Sequence, residues 1–184
     1  MKALDRFIQN RRMAQVRPYL PPGSRVLDIG CADGVLFRRI PGLGDYVGLD
    51  SALVEPVDRP HFRLICGTFP DALPSHEPFD AITLLAVIEH IPPDQLARLA
   101  RECAAHLKPG GHLLITVPSA RVARIFDLLR LLRLIDGMSL EEHHGFSAGQ
   151  TPALFAGLGV DLVKHTHFQL GLNNLFVFRR SVSP

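Results

Sequence analysis

The stretch VLDIGCADG, from Val26 to Gly34, decides the fold because it joins an apolar run to a glycine turn. Leu27 and Ile29 belong to a run of the kind that forms a buried parallel strand. Gly30 then opens a turn whose backbone can approach another group closely, because glycine carries no side chain. We therefore predict a buried strand that ends at a ligand site.

The composition predicts one domain over residues 1–184, since 47% hydrophobic residues supply a core of ordinary size. The net charge of +2 gives no sign of a nucleic-acid partner. Three widely spaced cysteines suit neither a disulfide framework nor a thiolate zinc site. No apolar run has the length of a signal peptide or a transmembrane helix, so a cytoplasmic protein is expected. Peripheral membrane contact and a homodimer both stay open.

Strands and helices alternate between residues 25 and 118, which favours a parallel sheet covered on both faces. The predicted strands are 25–29, 46–50, 61–67, 79–87 and 112–118, and the predicted helices are 4–19, 34–40 and 94–107. Segments 161–169 and 174–180, joined by a short turn, form a predicted antiparallel hairpin. The fold class is thus α/β, with a doubly wound, mostly parallel sheet of seven strands. The N-terminal helix, within residues 1–20, is predicted to turn its arginines, Arg12 among them, to solvent.

Three features meet at the carboxyl edge of this sheet, where doubly wound folds bind their ligands. They are the turn from Gly30 to Gly34, Asp50 at the end of the second strand, and the segment from Leu85 to His90 after the fourth. An acid at the position of Asp50 can accept two hydrogen bonds from a ribose diol, or it can cap a local turn. Its position opposite the glycine turn favours the ribose interpretation.

The turn also indicates which kind of nucleoside ligand is bound. Ala32 stands where the dinucleotide fingerprint has its second glycine, and Asp33 adds a negative charge that would repel a pyrophosphate. The Gly-Lys-Ser/Thr sequence of a phosphate-binding loop does not occur in the chain. We therefore expect a ligand that has a ribose but no phosphate chain.

At these motifs the sequence resembles the class I S-adenosylmethionine-dependent methyltransferases. VLDIGCADG resembles the family's first motif, VGLD its ribose-binding acid, FDAITLLAVIEHI its fourth-strand motif and LKPGGHLLITVP its fifth-strand segment. EEHHGFSAGQTPALFAGLGV is similar to a late segment of members that act on quinones, glycans and other metabolites. The resemblance implies a Rossmann-like methyltransferase fold and S-adenosylmethionine as the cofactor.

The resemblance further implies roles for individual residues. Asp28 and the backbone from Gly30 to Ala32 would hold the amino-acid end of the cofactor, and Asp50 its ribose hydroxyls. The implied cofactor-binding residues are Asp28, Gly30, Cys31, Ala32, Asp50, Ser51, Thr68, Phe69 and Leu85.

Two departures from the family pattern concern the segments around the third strand. Many relatives have an acid there that binds the adenine amine, whereas this chain has Gly67-Thr68-Phe69. Adenine recognition is therefore expected to rest on backbone, the Thr68 hydroxyl and packing against Phe69. Residues 51–60 are too few for the usual helix between the second and third strands, so that helix is expected to be missing or reduced to a turn.

Methyl transfer needs a positioned nucleophile and often a base that takes its proton. The candidate catalytic residues are Glu89 and His90 after the fourth strand, and His143 with its neighbour His144 before the late helix. Each has a structural alternative, because Glu89 can fix backbone or a helix start, His90 can pack in the interior, and the histidine pair can lie in a loop. No metal site is predicted, since the two histidines of segment 161–169 have no clear carboxylate partner.

Motifs that are missing from the chain limit the classes of methyl acceptor that are expected. The [ND]PP[YFW] sequence typical of nucleobase amino methylation is missing after the fourth strand, which favours an oxygen or carbon of a small metabolite, glycan or lipid-linked molecule. Residues 119–146 stand where a substrate-cover insertion belongs, and the apolar stretch 121–138 is either a packed lid, a dimer contact or a wall for an apolar acceptor. The predicted function is S-adenosylmethionine-dependent methyl transfer to such an acceptor. The alternative is a non-catalytic partner subunit that binds S-adenosylmethionine.

Overall fold

The computed structural model describes residues 3–74, 77–119 and 146–182. Nearly all of the predicted substrate cover, and with it the candidate bases His143 and His144, lies outside these residues. No helix of the described part is long and apolar enough to cross a membrane.

Four α-helices and eight strands make up the described part of the chain. The helices are α1 (Ala3–Val16), α2 (Val35–Arg39), α3 (Pro93–Ala105) and α4 (Thr151–Phe155). The strands are β1 (Val26–Ile29), β2 (Tyr46–Asp50), β3 (Val57–Arg59), β4 (Phe62–Cys66), β5 (Phe79–Leu85), β6 (Leu107–Pro118), β7 (Val160–Phe168) and β8 (Asn173–Arg180). Short 3-10 turns occupy Arg17–Tyr19, Ile88–His90 and Ala148–Gln150.

The strands form one sheet in the order β3-β4-β2-β1-β5-β6-β8-β7. The five strands from β4 to β6 in this order run parallel, and β8 and β7 complete the sheet as the predicted antiparallel hairpin. Helices α1 and α2 cover one face, while α3 and α4 cover the other. The predicted α/β class with a doubly wound, mostly parallel sheet is confirmed.

The predicted number of seven strands is corrected to eight in the described residues. The additional strand, β3, lies within residues 51–60, where the usual helix was expected to be missing or reduced to a turn. Those residues form a turn and then β3, and the chain reverses at His61, whose φ is 62°. Strand β3 therefore runs antiparallel to β4, because this connection is too short for a crossover helix.

The core lies on both faces of the sheet and holds its central strands rigidly. All four residues of β1 are buried. On the α3 side, Leu99 and Phe155 pack on the sheet, and on the α1 side Met13 and Val16 do so. Each such side chain contributes about 1.5–3 kcal/mol through the burial of apolar surface. The strand ends, which carry the predicted site residues, are thus fixed relative to one another.

Candidate active site

A cavity of about 560 Å³ opens at the carboxyl ends of β1, β2, β4 and β5. Five predicted cofactor-binding residues line it, together with the candidate base His90. The five are Gly30, Asp50, Ser51, Thr68 and Phe69. The structure therefore brings the glycine turn, the acid at the end of β2 and the segment after β5 to one edge, as doubly wound sheets do.

The glycine turn needs Gly30 for two reasons. Its φ is +73°, and a Cβ at this position would lie 2.3 Å from Cγ2 of Val87 across the cavity wall. Ala32 keeps the left-handed backbone with a φ of 49°, although it carries a side chain where the fingerprint has glycine. The turn thus retains the close backbone approach that the sequence predicts.

Asp50 joins the end of β2 to the glycine turn. Its Oδ2 accepts a hydrogen bond of 2.8 Å from the backbone N–H of Ala32, and its Oδ1 accepts one of 2.8 Å from that of Ala52. Each carboxylate oxygen can accept a second hydrogen bond. The capping and ribose-binding interpretations of this residue are therefore compatible, since local bonds orient the carboxylate and leave lone pairs for a diol.

Asp28 lies behind the turn and does not line the cavity. It is 4% exposed, and its two oxygens accept hydrogen bonds of 2.6 Å from the hydroxyls of Tyr46 and Thr83. Burial raises the pKa of this carboxyl to about 6, while the two hydroxyls favour its charged form. The side chain thus ties β1 to its neighbours in the sheet, and direct contact with the cofactor's amino-acid end stays a prediction.

Three further predicted cofactor residues also lie outside the cavity lining. Cys31 is buried against the α1-side core, and burial raises the pKa of its thiol. Leu85 packs against the same core, and Ala32 offers its N–H to Asp50. Direct contact of these three residues with the cofactor stays a prediction.

Residues of α3 and the loop before β5 complete the cavity and were not predicted from the sequence. Gln95 and Arg98 line the cavity from the first turns of α3. Arg98 donates two hydrogen bonds, of 2.6 and 3.0 Å, to the carboxylate of Asp71 on the opposite rim. Helical spacing could have indicated that Gln95 and Arg98 lie together, because residues three apart in a helix share a face.

Glu89 and His90 sit in the 3-10 turn that follows β5. His90 lines the cavity, whereas Glu89 is only 2% exposed. No other residue within 3–74, 77–119 and 146–182 donates a hydrogen bond to either oxygen of Glu89. Burial raises the pKa of Glu89 to about 7, although its own backbone N–H and the charge of Arg12 favour ionisation. The carboxyl can thus exchange a proton near neutral pH.

Arg12 corrects the prediction that the arginines of the N-terminal helix face solvent. Its side chain turns inward from α1, where Nη2 donates a hydrogen bond of 3.4 Å to Oδ1 of Asn173 at the start of β8. Burial lowers the pKa of the guanidinium, and the negative charge of Glu89 opposes that effect. The half-buried Arg12 and the buried Glu89 are therefore close enough for their charges to attract one another.

The two histidines of β7 are exposed and contact one another and the neighbouring strand. Nε2 of His165 lies 2.9 Å from Oδ1 of Asn174, and its ring stacks on Phe176 at a centroid distance of 4.2 Å. The ring of His167 lies 4.8 Å from that of His165. Nowhere in the described residues do three His, Cys, Asp or Glu side chains form a group able to hold a metal ion.

Sequence comparisons relate the chain to known proteins. It matches the methyltransferase domain family over residues 2–165. It is 34% identical over 105 residues to the ubiquinone biosynthesis O-methyltransferase of Xanthomonas campestris pv. campestris strain B100, which covers 52% of this chain and 43% of that protein. It is 37% identical over 129 residues to the enzyme of that name from Aliivibrio fischeri strain MJ11, which covers 61% and 53%. The chain thus spans about half the length of these curated relatives.

A solved structure supports the fold. The N-methyltransferase NodS from Bradyrhizobium japonicum WM9, in complex with S-adenosyl-L-homocysteine, superposes with a TM-score of 0.67 at 16% identity, covering 97% of this chain and 88% of NodS. The family match spans most of the chain and includes the glycine turn, the acid of β2 and the segment after β5. The predicted family and its methyl donor are therefore confirmed. The chain belongs to the class I S-adenosylmethionine-dependent methyltransferases.

Proposed function

We propose that this chain transfers the methyl group of S-adenosylmethionine to a hydroxyl oxygen of a small-molecule acceptor. The observation that carries the proposal is the position of Glu89, a buried carboxyl whose pKa is raised to about 7, next to cavity residues of the same turn. A hydroxyl loses its proton on methylation, and a carboxyl with this pKa can take that proton. The relatives named O-methyltransferases agree with this choice.

The cavity fits the methyl donor through its chemistry. Asp50 offers carboxylate lone pairs to the ribose hydroxyls, and Gly30 leaves backbone accessible where a Cβ would collide with Val87. Thr68 and Phe69 line the side expected for adenine. The methyl donor supplies an electrophilic methyl group on a sulfonium centre.

The chain's own residues would orient the acceptor and handle its proton. Glu89 is largely ionised just above neutral pH and can take the proton of an acceptor hydroxyl. His90, which lines the cavity from the same turn, is the second candidate base, and His143 remains a sequence prediction. The strand ends that carry these groups lie on a packed sheet, so positioning would supply much of the rate enhancement.

Calorimetric titration with S-adenosylhomocysteine tests the cofactor site. Asp50→Ala should weaken binding by about 10- to 100-fold, because one hydrogen bond to a charged group contributes about 1.5–3 kcal/mol. Asp58→Ala, an exposed acid on the edge strand β3, is the matched control and should bind normally. Unchanged affinity in Asp50→Ala would remove this residue from the ribose site.

A turnover assay tests the reaction itself. The protein is incubated with S-adenosylmethionine and a panel of phenols, hydroxy acids and sugars, and methylated products are identified by mass spectrometry. A methyl ether formed on a panel member supports the proposal. Tight binding of S-adenosylhomocysteine without any product across the panel would favour the non-catalytic partner subunit instead.

A further inference from the structure

Buried polar atoms without partners gather beside the cavity, at the carboxyl ends of β5 and β6. Within the described residues, no other residue forms a hydrogen bond with either oxygen of Glu89, Nε of Arg12, Oγ1 of Thr116 or Oγ of Ser119. Ala86, which lines the cavity, donates its backbone N–H to the carbonyl of Thr116. The backbone of Thr116 thus contacts the cavity lining, and Glu89 directly precedes His90, which lines the cavity.

Two of the groups, Arg12 and Thr116, lie on the face of the sheet that α1 covers. Side chains alternate along a strand, and Leu114 packs in the α1-side core, so Thr116 points to that face as well. Arg12 projects from α1 to Asn173, which pairs with Pro118 in the register of β6 and β8. The guanidinium therefore lies over the end of β6.

Arg12 and Glu89 lower the stability of the folded protein unless a bound group forms hydrogen bonds with both. Arg12 and Glu89 attract one another, yet no ion pair of 4.0 Å or less joins them in the described residues. Among the described residues, Arg12 has one side-chain hydrogen bond, to Asn173, and Glu89 has no partner other than its own backbone N–H. Buried polar groups that are satisfied this poorly call for a functional explanation. A small group that accepts from Arg12 and donates to Glu89 would satisfy both.

We propose that Arg12 binds the reacting oxygen of the acceptor and stabilises its negative charge, while Glu89 accepts the proton of that hydroxyl. This inference rests on the proposed function and narrows it, because a guanidinium favours acidic hydroxyls such as those of phenols and enols over sugar alcohols. Thr116 and Ser119 supply further hydroxyls that can bind neighbouring oxygens of the same acceptor.

The proposed step balances in atoms and charge. The acceptor hydroxyl gives its proton to the Glu89 carboxylate, and the oxygen anion is held beside the Arg12 guanidinium. The oxygen then forms a bond to the methyl carbon as the carbon–sulfur bond breaks. The electron pair of that bond stays on sulfur, which becomes a neutral thioether. Glu89 returns its proton to solvent.

The experiment uses 4-nitrophenol as a probe, because its phenolate is coloured and its binding can be followed without turnover. The probe is titrated into protein saturated with S-adenosylhomocysteine, and the ionised fraction of the bound probe is read from the visible absorbance. The wild type should bind the phenolate in preference to the phenol. Arg12→Gln should weaken phenolate binding by about 10- to 100-fold. Arg12→Lys, which keeps the positive charge, should retain part of the affinity for the phenolate.

Arg11→Gln is the matched control, because Arg11 is an exposed neighbour on the same helix. It should bind the probe as the wild type does, and all four proteins should bind S-adenosylhomocysteine equally. The inference is overturned if Arg12→Gln binds the phenolate normally, if it loses S-adenosylhomocysteine affinity, or if the wild type does not bind the phenolate. Phenolate binding without methyl transfer would reject the proposed function and leave this acceptor site standing.

Discussion

Replacing Glu89 by glutamine should stabilise the protein, and the gain should grow as the pH rises. The carboxyl has a pKa of about 7 in the folded protein, because burial penalises its charged form, against an ordinary value near 4.5. Between these values the unfolded chain has released a proton that the folded protein retains. The free energy of unfolding therefore falls as the pH rises from about 4.5 to about 7 and levels off above that range.

The magnitude follows from the difference between the two pKa values. A separation of about 2.5 pH units, at about 1.4 kcal/mol each, corresponds to about 3 kcal/mol. Glutamine resembles the protonated carboxyl and does not titrate. The stability gain of Glu89→Gln should therefore be near zero at about pH 4 and approach about 3 kcal/mol at about pH 8. For a chain of this size the latter equals a rise in Tm of roughly 6–12 °C.

Urea unfolding followed by circular dichroism at a series of pH values measures this effect. Asp58→Asn is the control, because this acid is exposed on the edge strand and should show no comparable trend. The same variant should bind S-adenosylhomocysteine normally but lose turnover, since it removes the proposed base. A stability difference that does not change with pH would refute the raised pKa and, with it, the burial argument.

Three other substitutions test the geometry of the turn and the sheet. Ala32→Gly should stabilise the protein by about 0.5 kcal/mol in urea unfolding, because relief of the positive φ of Ala32 outweighs the entropy that glycine adds to the unfolded chain. A loss of stability would show that the backbone of Ala32 is not strained. Gly48→Ala should destabilise the protein by about 1–3 kcal/mol, since the new Cβ would lie 2.6 Å from Sγ of Cys31. An unchanged midpoint of urea unfolding would show that Cys31 can move aside without loss of stability. Tyr46→Phe should lower the free energy of unfolding by about 1–3 kcal/mol, and by more above pH 6 than below it, because the lost hydroxyl favours the charged form of Asp28. Urea unfolding on either side of pH 6 measures this difference, and equal losses of stability would argue that Asp28 is not ionised.

The sequence predicts best what depends on local pattern and strand direction. Asp50 ends β2 as expected, and the glycine turn ends β1, because apolar runs and glycines mark strand ends directly. Their meeting at one edge follows from the parallel sheet alone. Strand β3 was missed because its three residues have no strand pattern of their own. It forms only through pairing with β4, which brings the chain back after His61.

Side-chain surroundings could not be predicted in the same way, because the partners lie far apart in the sequence. Asp28 accepts from Thr83, which is 55 residues away, and this neighbour emerges only from the register of β1 with β5. Arg12 reaches Asn173, 161 residues away, at the other end of the chain. A charged side chain in an amphipathic helix is ordinarily exposed to solvent. The hydrophobic pattern of the helix therefore predicted a solvated Arg12, which is wrong.

Asp28 and Glu89 are two buried carboxyls with different surroundings, and the difference supports the proposed role of Glu89. Both are buried, and burial raises the pKa of each. Asp28 has its hydrogen bonds met by Tyr46 and Thr83, so its desolvation is offset within the fold. Among the described residues, no other residue donates a hydrogen bond to Glu89, and only its own backbone N–H and the charge of Arg12 favour its charged form. Glu89 lies one residue from the cavity lining. A chain that keeps a poorly compensated carboxylate at this place, near the half-buried Arg12, loses stability that binding of the proposed acceptor would restore.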